Sequence, residues 1–231
     1  MAEAKCDNIQ MKDDMYGQRE WKSFIFKPAE PENYRDILEH MRTSFYRDEP
    51  LNYLTGYSEE KAKDMDTMIM EYFQDGLSHI VLEKETNQIA GARIIAIHKR
   101  ENADTPRVME SAEMKKIWPF LHQLDEDSNI FKLYPDMDSY VELFMASVDR
   151  RFRGQGLATE MYESAIPFLK SRGFRLVKSC FTSPFTQRIG KNLGFRELSR
   201  RYFRDYRDES GEVVFTNADD KDEAVVGALE L

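Results

Sequence analysis

The chain has 231 residues, with 33 Lys and Arg against 42 Asp and Glu, a net charge of −9, and 41% apolar residues, a composition that describes an acidic globular chain and excludes electrostatic nucleic-acid binding. The length allows one sizeable core in a single elaborated domain, no apolar run approaches the roughly 20 residues of a membrane span, and residues 1–14 are too charged for a signal peptide, so a cytoplasmic protein with no membrane partner is expected. Cys6, Cys180 and the histidines at 40, 79, 98 and 122 make neither a disulfide framework nor a ligand spacing, so no metal is expected.

Residues 1–20 are polar, without period, and read as a flexible N-terminal tail; residues 21–231 read as one domain. Ser23 to Lys27 is a short predicted strand. Pro31 opens a helix whose apolar residues Tyr34, Ile37, Leu38, Met41 and Phe45 share one face, and Asp48-Glu49-Pro50 ends it, because the residue before proline is pushed out of the helical region. A second helix runs from Ser58 and stops at Gly76. His79 to Lys84 and Ile89 to His98 form a predicted hairpin across Glu85-Thr86-Asn87-Gln88. Lys99 to Arg107 reads as a polar loop, Val108 to Gln123 as a helix broken before Pro119, and Asp125 to Asp138 as a solvated acidic connector. Ser139 to Val148 is nearly continuously apolar, as expected of a central strand covered on both faces. A helix follows from Leu157 to Gly173, with a kink expected at Pro167. Arg175 to Phe181 is a strand and Pro184 to Leu193 a short helix closed by Gly194. Phe195 to Arg204 and Glu212 to Thr216 then read as a final hairpin, with Glu209-Ser210-Gly211 in its turn. The order implies a mixed α/β domain with a mostly antiparallel central sheet flanked by helices.

The segment that carries chemistry is the buried strand running into Arg151-x-x-Gly154-x-Gly156 and then a helix. A first helical turn has free N–H donors and a positive dipole end, and glycines let a pyrophosphate approach the backbone. Arg150, Arg151 and Arg153 add charge-assisted donors. A glycine turn with basic neighbours explains the same residues without a ligand. The segment lacks the G-x-G-x-x-G of a dinucleotide fold and the G-K-[ST] of a Walker loop.

Strand, phosphate loop, helix, strand, short helix and Leu193-Gly194-Phe195, in that order, resemble the GNAT superfamily of acetyl-CoA-dependent N-acetyltransferases. The match to its CoA motif is Val148-Asp149-Arg150-Arg151-Phe152-Arg153-Gly154-Gln155-Gly156-Leu157-Ala158. The resemblance implies the GNAT acyl-CoA N-acyltransferase fold, acetyl-CoA as co-substrate, and a CoA site around residues 144–158. Its cofactor-binding residues would be Ala146, Ser147, Val148, Arg151, Phe152, Arg153, Gly154, Gln155, Gly156, Leu157 and Ala158. Two further segments, Asp48-Glu49-Pro50-Leu51 and Tyr202-Phe203-Arg204-Asp205-Tyr206 with Gly211-Glu212-Val213-Val214-Phe215, are similar to the insect arylalkylamine N-acetyltransferase group. That similarity implies Glu49 as catalytic base and Thr182, Ser183 and Thr186 as hydroxyls assisting proton transfer.

The chemistry needs such a base. A primary amine with a pKa of about 10.4 is roughly 1 part in 2,500 neutral at pH 7, a handicap of about 4.6 kcal/mol for nucleophilic attack. Glu49 could also be a plain helix-end carboxylate, and Thr182, Ser183 and Thr186 could be helix caps. Many GNAT members place a tyrosine four residues before the Gly-Phe pair to protonate the leaving thiolate; this chain has Gly190 there. The expected acceptor is a small arylalkylamine of the dopamine, serotonin, tryptamine or octopamine type, acetylated by direct attack in a ternary complex. The alternatives are a polyamine, agmatine or long-chain acyl-CoA enzyme, and a GNAT-like CoA- or peptide-binding module without turnover. A monomer is expected, with a dimer as the alternative.

Overall fold

The computed structural model describes residues 18–103, 105 and 107–231. The expected tail lies outside the described residues as far as 17, and its last two residues belong to the fold, because Arg19–Trp21 forms strand β1. Strands β2 (Phe24–Pro28), β3 (His79–Glu83), β4 (Ile89–Lys99), β5 (Ser139–Val148), β6 (Leu176–Phe181), β7 (Arg196–Tyr202) and β8 (Glu223–Glu230) complete one eight-stranded sheet in the order β1-β2-β3-β4-β5-β6-β8-β7. Every neighbouring pair is antiparallel except β5 and β6.

The helices are α1 (Tyr34–Thr43), α2 (Phe45–Asp48), α3 (Pro50–Thr55), α4 (Lys63–Phe73), α5 (Met114–Ser128), α6 (Ile130–Leu133), α7 (Leu157–Ser171) and α8 (Pro184–Asn192). Ile37, Met41, Leu51, Met68, Ile69, Ile117, Phe120 and Leu124 from α1, α3, α4 and α5 pack with Ala92, Ile94, Met145 and Val226 of the sheet. Tyr162, Ala165 and Leu169 of α7 pack with Ile95, Val141, Leu143, Val177 and Phe181, and Ile189 of α8 joins them. One sheet is thus covered on both faces, which is why β5 reads as an unbroken apolar run.

Two departures from the expected elements shape the site. The final hairpin partner of β7 is Glu223–Glu230, not Glu212–Thr216, which makes only the isolated bridge Arg207↔Val213. The run Ala224-Val225-Val226-Gly227-Ala228 can be buried on both faces between β6 and β7, whereas Glu212 to Thr216 offers only Phe215 as a fully buried anchor. The second departure is α5, which starts at Met114, runs through Pro119 and ends at Ser128. The expected acidic connector therefore contributes a helical turn bearing Asp125, and Ile130 of α6 is buried. The expected break at Pro119 is absent because the helix is held by Ile117, Phe120 and Leu124 packing on the sheet, a burial that offsets one missing backbone hydrogen bond. Helix α7 likewise continues through Pro167. The first predicted helix divides at Ser44 into α1 and α2, and the predicted helix from Ser58 begins with a 3₁₀ turn at Glu59–Lys61.

Strands β5 and β6 make the one opening in the sheet. Their parallel pairing consists of Val141↔Val177 and Glu142↔Lys178, and past that point they diverge. Opposite the opening, the β4–β5 register shifts between Ile94 and Ile95, which pair with Met145 and Leu143 and leave Phe144 as the extra residue of a bulge.

Candidate active site

A cavity of about 140 Å³ lies between α5 and the sheet at this opening; an engineered apolar cavity of about 150 Å³ is known to hold a benzene molecule. Phe144, Met145 and Ala146 all line it. Three successive residues of a regular strand cannot face one space, so their convergence is a product of the bulge and the splay. The floor is Cys180 and Thr182 of the β6 end, the walls include Phe45, Met65, Met68, Ile117, Trp118 and Leu121, and Glu49, His98, His122, Asp125 and Glu142 supply its carboxylates and imidazoles.

Glu49 sits at the junction of α2 and α3. Its backbone is extended (φ −70°, ψ 135°), Pro50 occupies the first helical position, and Gly56 ends α3 in the left-handed region at φ +70°. Its Oε2 accepts from Asn52 N–H at 2.9 Å, so the carboxylate is an N-cap and a cavity group at once. Burial pushes the Glu49 carboxyl above its ordinary value, against the opposing hydrogen bonds from Asn52, the Thr182 hydroxyl and Leu51. A carboxylate of raised pKa facing an apolar space is suited to accept a proton.

The hydroxyl run divides. Thr182 lines the cavity, and its hydroxyl draws the Glu49 carboxyl down against the effect of burial. Ser183 is the N-cap of α8, accepting from Thr186 N–H at 3.2 Å, while Thr186 Oγ1 accepts from Ser183 N–H at 3.3 Å in a reciprocal capping box. Thr186 also reaches the cavity, whereas Ser183 is not among the lining residues.

Phe45, Trp118 and Leu121 stand opposite the sheet, and the far end of the cavity is an ionic cluster absent from the sequence-level reading. Lys178, fully buried, lies 2.6 Å from Asp125 Oδ1 and 3.1 Å from Glu142 Oε1, and His98 Nε2 lies 2.7 Å from Glu142 Oε2. Burial opposes the charge on Glu142, yet Lys178 and His98 hold its carboxyl down at about 2. Burial likewise opposes the charge on Lys178, and Asp125 and Glu142 hold it protonated. Burial raises Asp125, against the pull of Lys178.

At the other end of β5, the loop to α7 has the form of an anion cradle. Gly154 and Gly156 stand at φ +76° and +87°, a region that L-residues with side chains rarely occupy. A Cβ on Gly154 would point into open space, where a ligand would lie, and one on Gly156 would come to 3.7 Å from Trp21. Glu160 N–H is bonded to Gly156 O at 3.1 Å, so the N–H groups of Leu157, Ala158 and Thr159 precede the ladder and stay available to an anion. These residues fit a pyrophosphate.

The expected basic donors are otherwise engaged. Arg150 and Arg153 both pair with Asp48, the latter at 2.6 Å, and Arg151 pairs with Asp149 at 2.9 Å and with Gln88. The Phe152 ring packs edge-on against Phe24, Gln155 accepts from Lys22 through its carbonyl, and Leu157 is buried. Val148 packs in the same cluster as Phe24 and Leu157. The Ser147 hydroxyl is buried against Ser44, so only its backbone could serve a ligand. Among the described residues, no group of three His, Cys, Asp or Glu side chains could hold a metal, and no helix is long and apolar enough to cross a membrane.

Comparison with known proteins agrees with this geometry. The family model for the Acetyltransferase (GNAT) family matches residues 34–190. Arylalkylamine N-acetyltransferase 2 from Aedes aegypti superposes with a TM-score of 0.79 at 28% identity, over 90% of this chain and 99% of that one. A protein designated arylalkylamine N-acetyltransferase 7, from the same mosquito, gives 0.82 at 23% identity over 90% and 87%. The Drosophila melanogaster polyamine N-acetyltransferase, which catalyses formation of N-acetylagmatine, gives 0.75 at 17% identity over 90% and 100%. The chain belongs to the GNAT acetyltransferase family, which uses acetyl-CoA, and it has the fold of that family.

Proposed function

We propose that this GNAT acetyltransferase acetylates the primary amine of small arylalkylamines, with Glu49 as general base. The observation that carries the reading is the position of Glu49: a carboxylate of raised pKa at the wall of a cavity whose apolar walls include Phe45, Trp118, Leu121 and Phe144. The cavity has the volume of a single aromatic ring, and apolar walls favour an aryl group over a hydrated chain. The ammonium form of the amine gives its proton to Glu49, directly or through one water, and the free amine then attacks a carbonyl carbon presented at the β5–β6 opening. Acetyl-CoA supplies the activated acyl group and a thiolate leaving group. Backbone N–H groups around Phe144, which the bulge leaves without a partner residue on β4, are the candidate donors to the developing oxyanion.

Asp125 and Glu142 at the far end favour a second reading, in which a distal cation of agmatine or a polyamine is held there. Release of CoA thiol from acetyl-CoA, measured with tyramine, dopamine, serotonin, tryptamine, agmatine, spermidine and a lysine peptide, separates the two. Turnover confined to the aryl amines is the expected result. Preference for agmatine or spermidine establishes the second reading, and acetyl-CoA binding without turnover on any amine refutes both.

A further inference from the structure

The position that holds the thiolate-protonating tyrosine in many relatives has no room for a side chain in this fold. A Cβ on Gly190 would stand 2.7 Å from Phe181 Cε2 and closer still to Cζ, and the same ring lies 3.1 Å from where a Cβ on Gly227 would be. Phe181 therefore fills the space between α8 and β8. Of the hydroxyls nearby, Thr186 donates to the Ser183 carbonyl within the α8 capping box, and Thr182 lies beside the Glu49 carboxylate and lowers its pKa.

A different hydroxyl reaches the opening. Along β6, Cys180 and Thr182 face the cavity, while Val177 and Phe181 pack towards α7, with Ser179 on their side. Tyr162 belongs to the α7 side, where it packs with Leu143, Phe181 and Ile189, yet it also lines the cavity on the opposite side of the sheet. A side chain can be reached from both faces only through a gap, and the gap is the divergence of β5 and β6 beyond Glu142↔Lys178. Among the described residues the hydrogen-bond partner of its hydroxyl is Ser179 Oγ at 3.4 Å, which lies 3.0 Å from the Leu143 carbonyl and donates to it. A contact that long holds the phenol proton weakly. Behind the ring lies Arg93, 2% exposed, with its guanidinium carbon 3.9 Å from the ring centroid and no hydrogen-bond partner for its three nitrogens among the described residues. A buried cation without a counter-ion stabilises negative charge formed beside it.

We propose that Tyr162 is the acid that protonates the departing thiolate, a catalytic residue that takes the place of the one excluded at Gly190. The inference rests on the acetyl-transfer reading of the cavity but not on which amine is the acceptor. In the step, the neutral amine, whose ammonium proton Glu49 has already passed to solvent, forms the C–N bond, and the surplus proton left on its nitrogen passes to Glu49. The C–S bond breaks with its electron pair on sulfur, and Tyr162 Oη gives its proton to that sulfur. The phenolate, transiently balanced by Arg93, recovers a proton from solvent as Glu49 releases one, so protons balance over the cycle.

The test is Tyr162→Phe in the full chain, assayed with acetyl-CoA and whichever amine the wild type accepts. Phe keeps the ring against Arg93 and loses only the hydroxyl. The expected result is a fall in kcat of about 10- to 100-fold, below the usual range for a proton-transfer group because a thiol of pKa about 8.5 is already a fair leaving group. The KM for acetyl-CoA stays within about twofold. With an acetyl thioester of a more acidic thiol, whose thiolate leaves without a proton, the loss on substitution shrinks towards unity. An unchanged kcat, or a loss equally large with both acyl donors, overturns the proposal. Wild-type inactivity on every amine instead overturns the acetyl-transfer reading beneath it.

Discussion

Replacing Glu49 by Gln isolates its proton chemistry from its structural work. The amide oxygen of the substituted side chain can still accept from Asn52 N–H, so the α3 cap survives, whereas Ala would forfeit a cap worth about 0.5–2 kcal/mol. At pH 7 the acceptor amine is about 1 part in 2,500 neutral, so removing the base exposes up to about 4.6 kcal/mol of deprotonation cost. Water and the amine's own ionisation recover part of that, and a positioned base is typically worth about 10²–10⁴-fold. We expect kcat/KM to fall about 100-fold at pH 7. Raising the pH to 9.4 increases the free amine by about 250-fold on the same arithmetic, so the deficit should shrink towards unity. In the wild type the acidic limb should lie above the ordinary carboxylate range, because burial raises the folded-state value of Glu49 and the base is active only above it. The assay is the initial rate of CoA thiol release from pH 5.5 to 9.5 at subsaturating amine. Parallel profiles for the two proteins, offset or not, would remove Glu49 from proton transfer whatever the size of the loss.

Gly156→Val should raise the acetyl-CoA KM at least about tenfold, since a branched side chain at φ +87° strains the turn by about 1–2 kcal/mol and crowds the free N–H groups; CoA affinity by calorimetry checks it. Lys178→Met should destabilise the fold by about 3–5 kcal/mol by leaving Glu142 and Asp125 without their cation, and Lys178→Met with Glu142→Gln should recover part of the loss, both read from urea midpoints. His40, 7% exposed, has its pKa lowered to about 4, chiefly by burial. Its folded-state value lies below the unfolded one near 6.5, so the stability it confers is complete above pH 6.5 and is lost as pH falls towards 4, up to roughly 3 kcal/mol. His40→Gln should flatten the urea midpoint between pH 7 and 5, and a slope unchanged from wild type would clear His40 of the effect.

Local physics reaches the segments proposed for the acyl donor. The run from β5 through Gly154 and Gly156 to α7 is contiguous in sequence, and so are the Pro50 and Pro184 helix starts, so periodicity and capping rules reach them directly. The acceptor half depends on distant pairings. Tyr162 reads as one more member of an α7 core stripe, and only the splay of β5 from β6 brings it to the cavity. Asp125 reads as part of a loop because Pro119 and the acids after it argue against a helix, yet α5 packing places it 2.6 Å from Lys178. The run Ala224 to Leu229, bounded by Glu223 and Glu230, carries a strand signal of its own. Glu209-Ser210-Gly211 does form a turn, closed by Asp208 N–H to Glu212 O and the bridge Arg207↔Val213, so it draws Glu212 to Thr216 into the expected hairpin, and no local rule ranks the two runs.

Composition alone does not rank the ways in which the three arginines can serve the loop. Near a glycine loop they suggest side-chain recognition of phosphate, but each already has a carboxylate, and Asp48, held below its ordinary value chiefly by its hydrogen bond to Arg150, is shared by two of them. Exposed pairs of this kind contribute only about 0–1 kcal/mol each, so exchanging Asp48 for a phosphate oxygen changes the energy little in either direction. We expect affinity and orientation at the loop to come chiefly from groups that solvent does not level: the backbone N–H groups fixed by two left-handed glycines at the start of a 15-residue helix. What the arginines do add is mechanical. By holding Asp48 they tie the loop that would carry the acyl donor to the turn that carries Glu49, one residue on, across 102 and 105 positions of sequence. The two halves of the site are thereby set against each other before either substrate arrives, which is what a direct attack in a ternary complex requires.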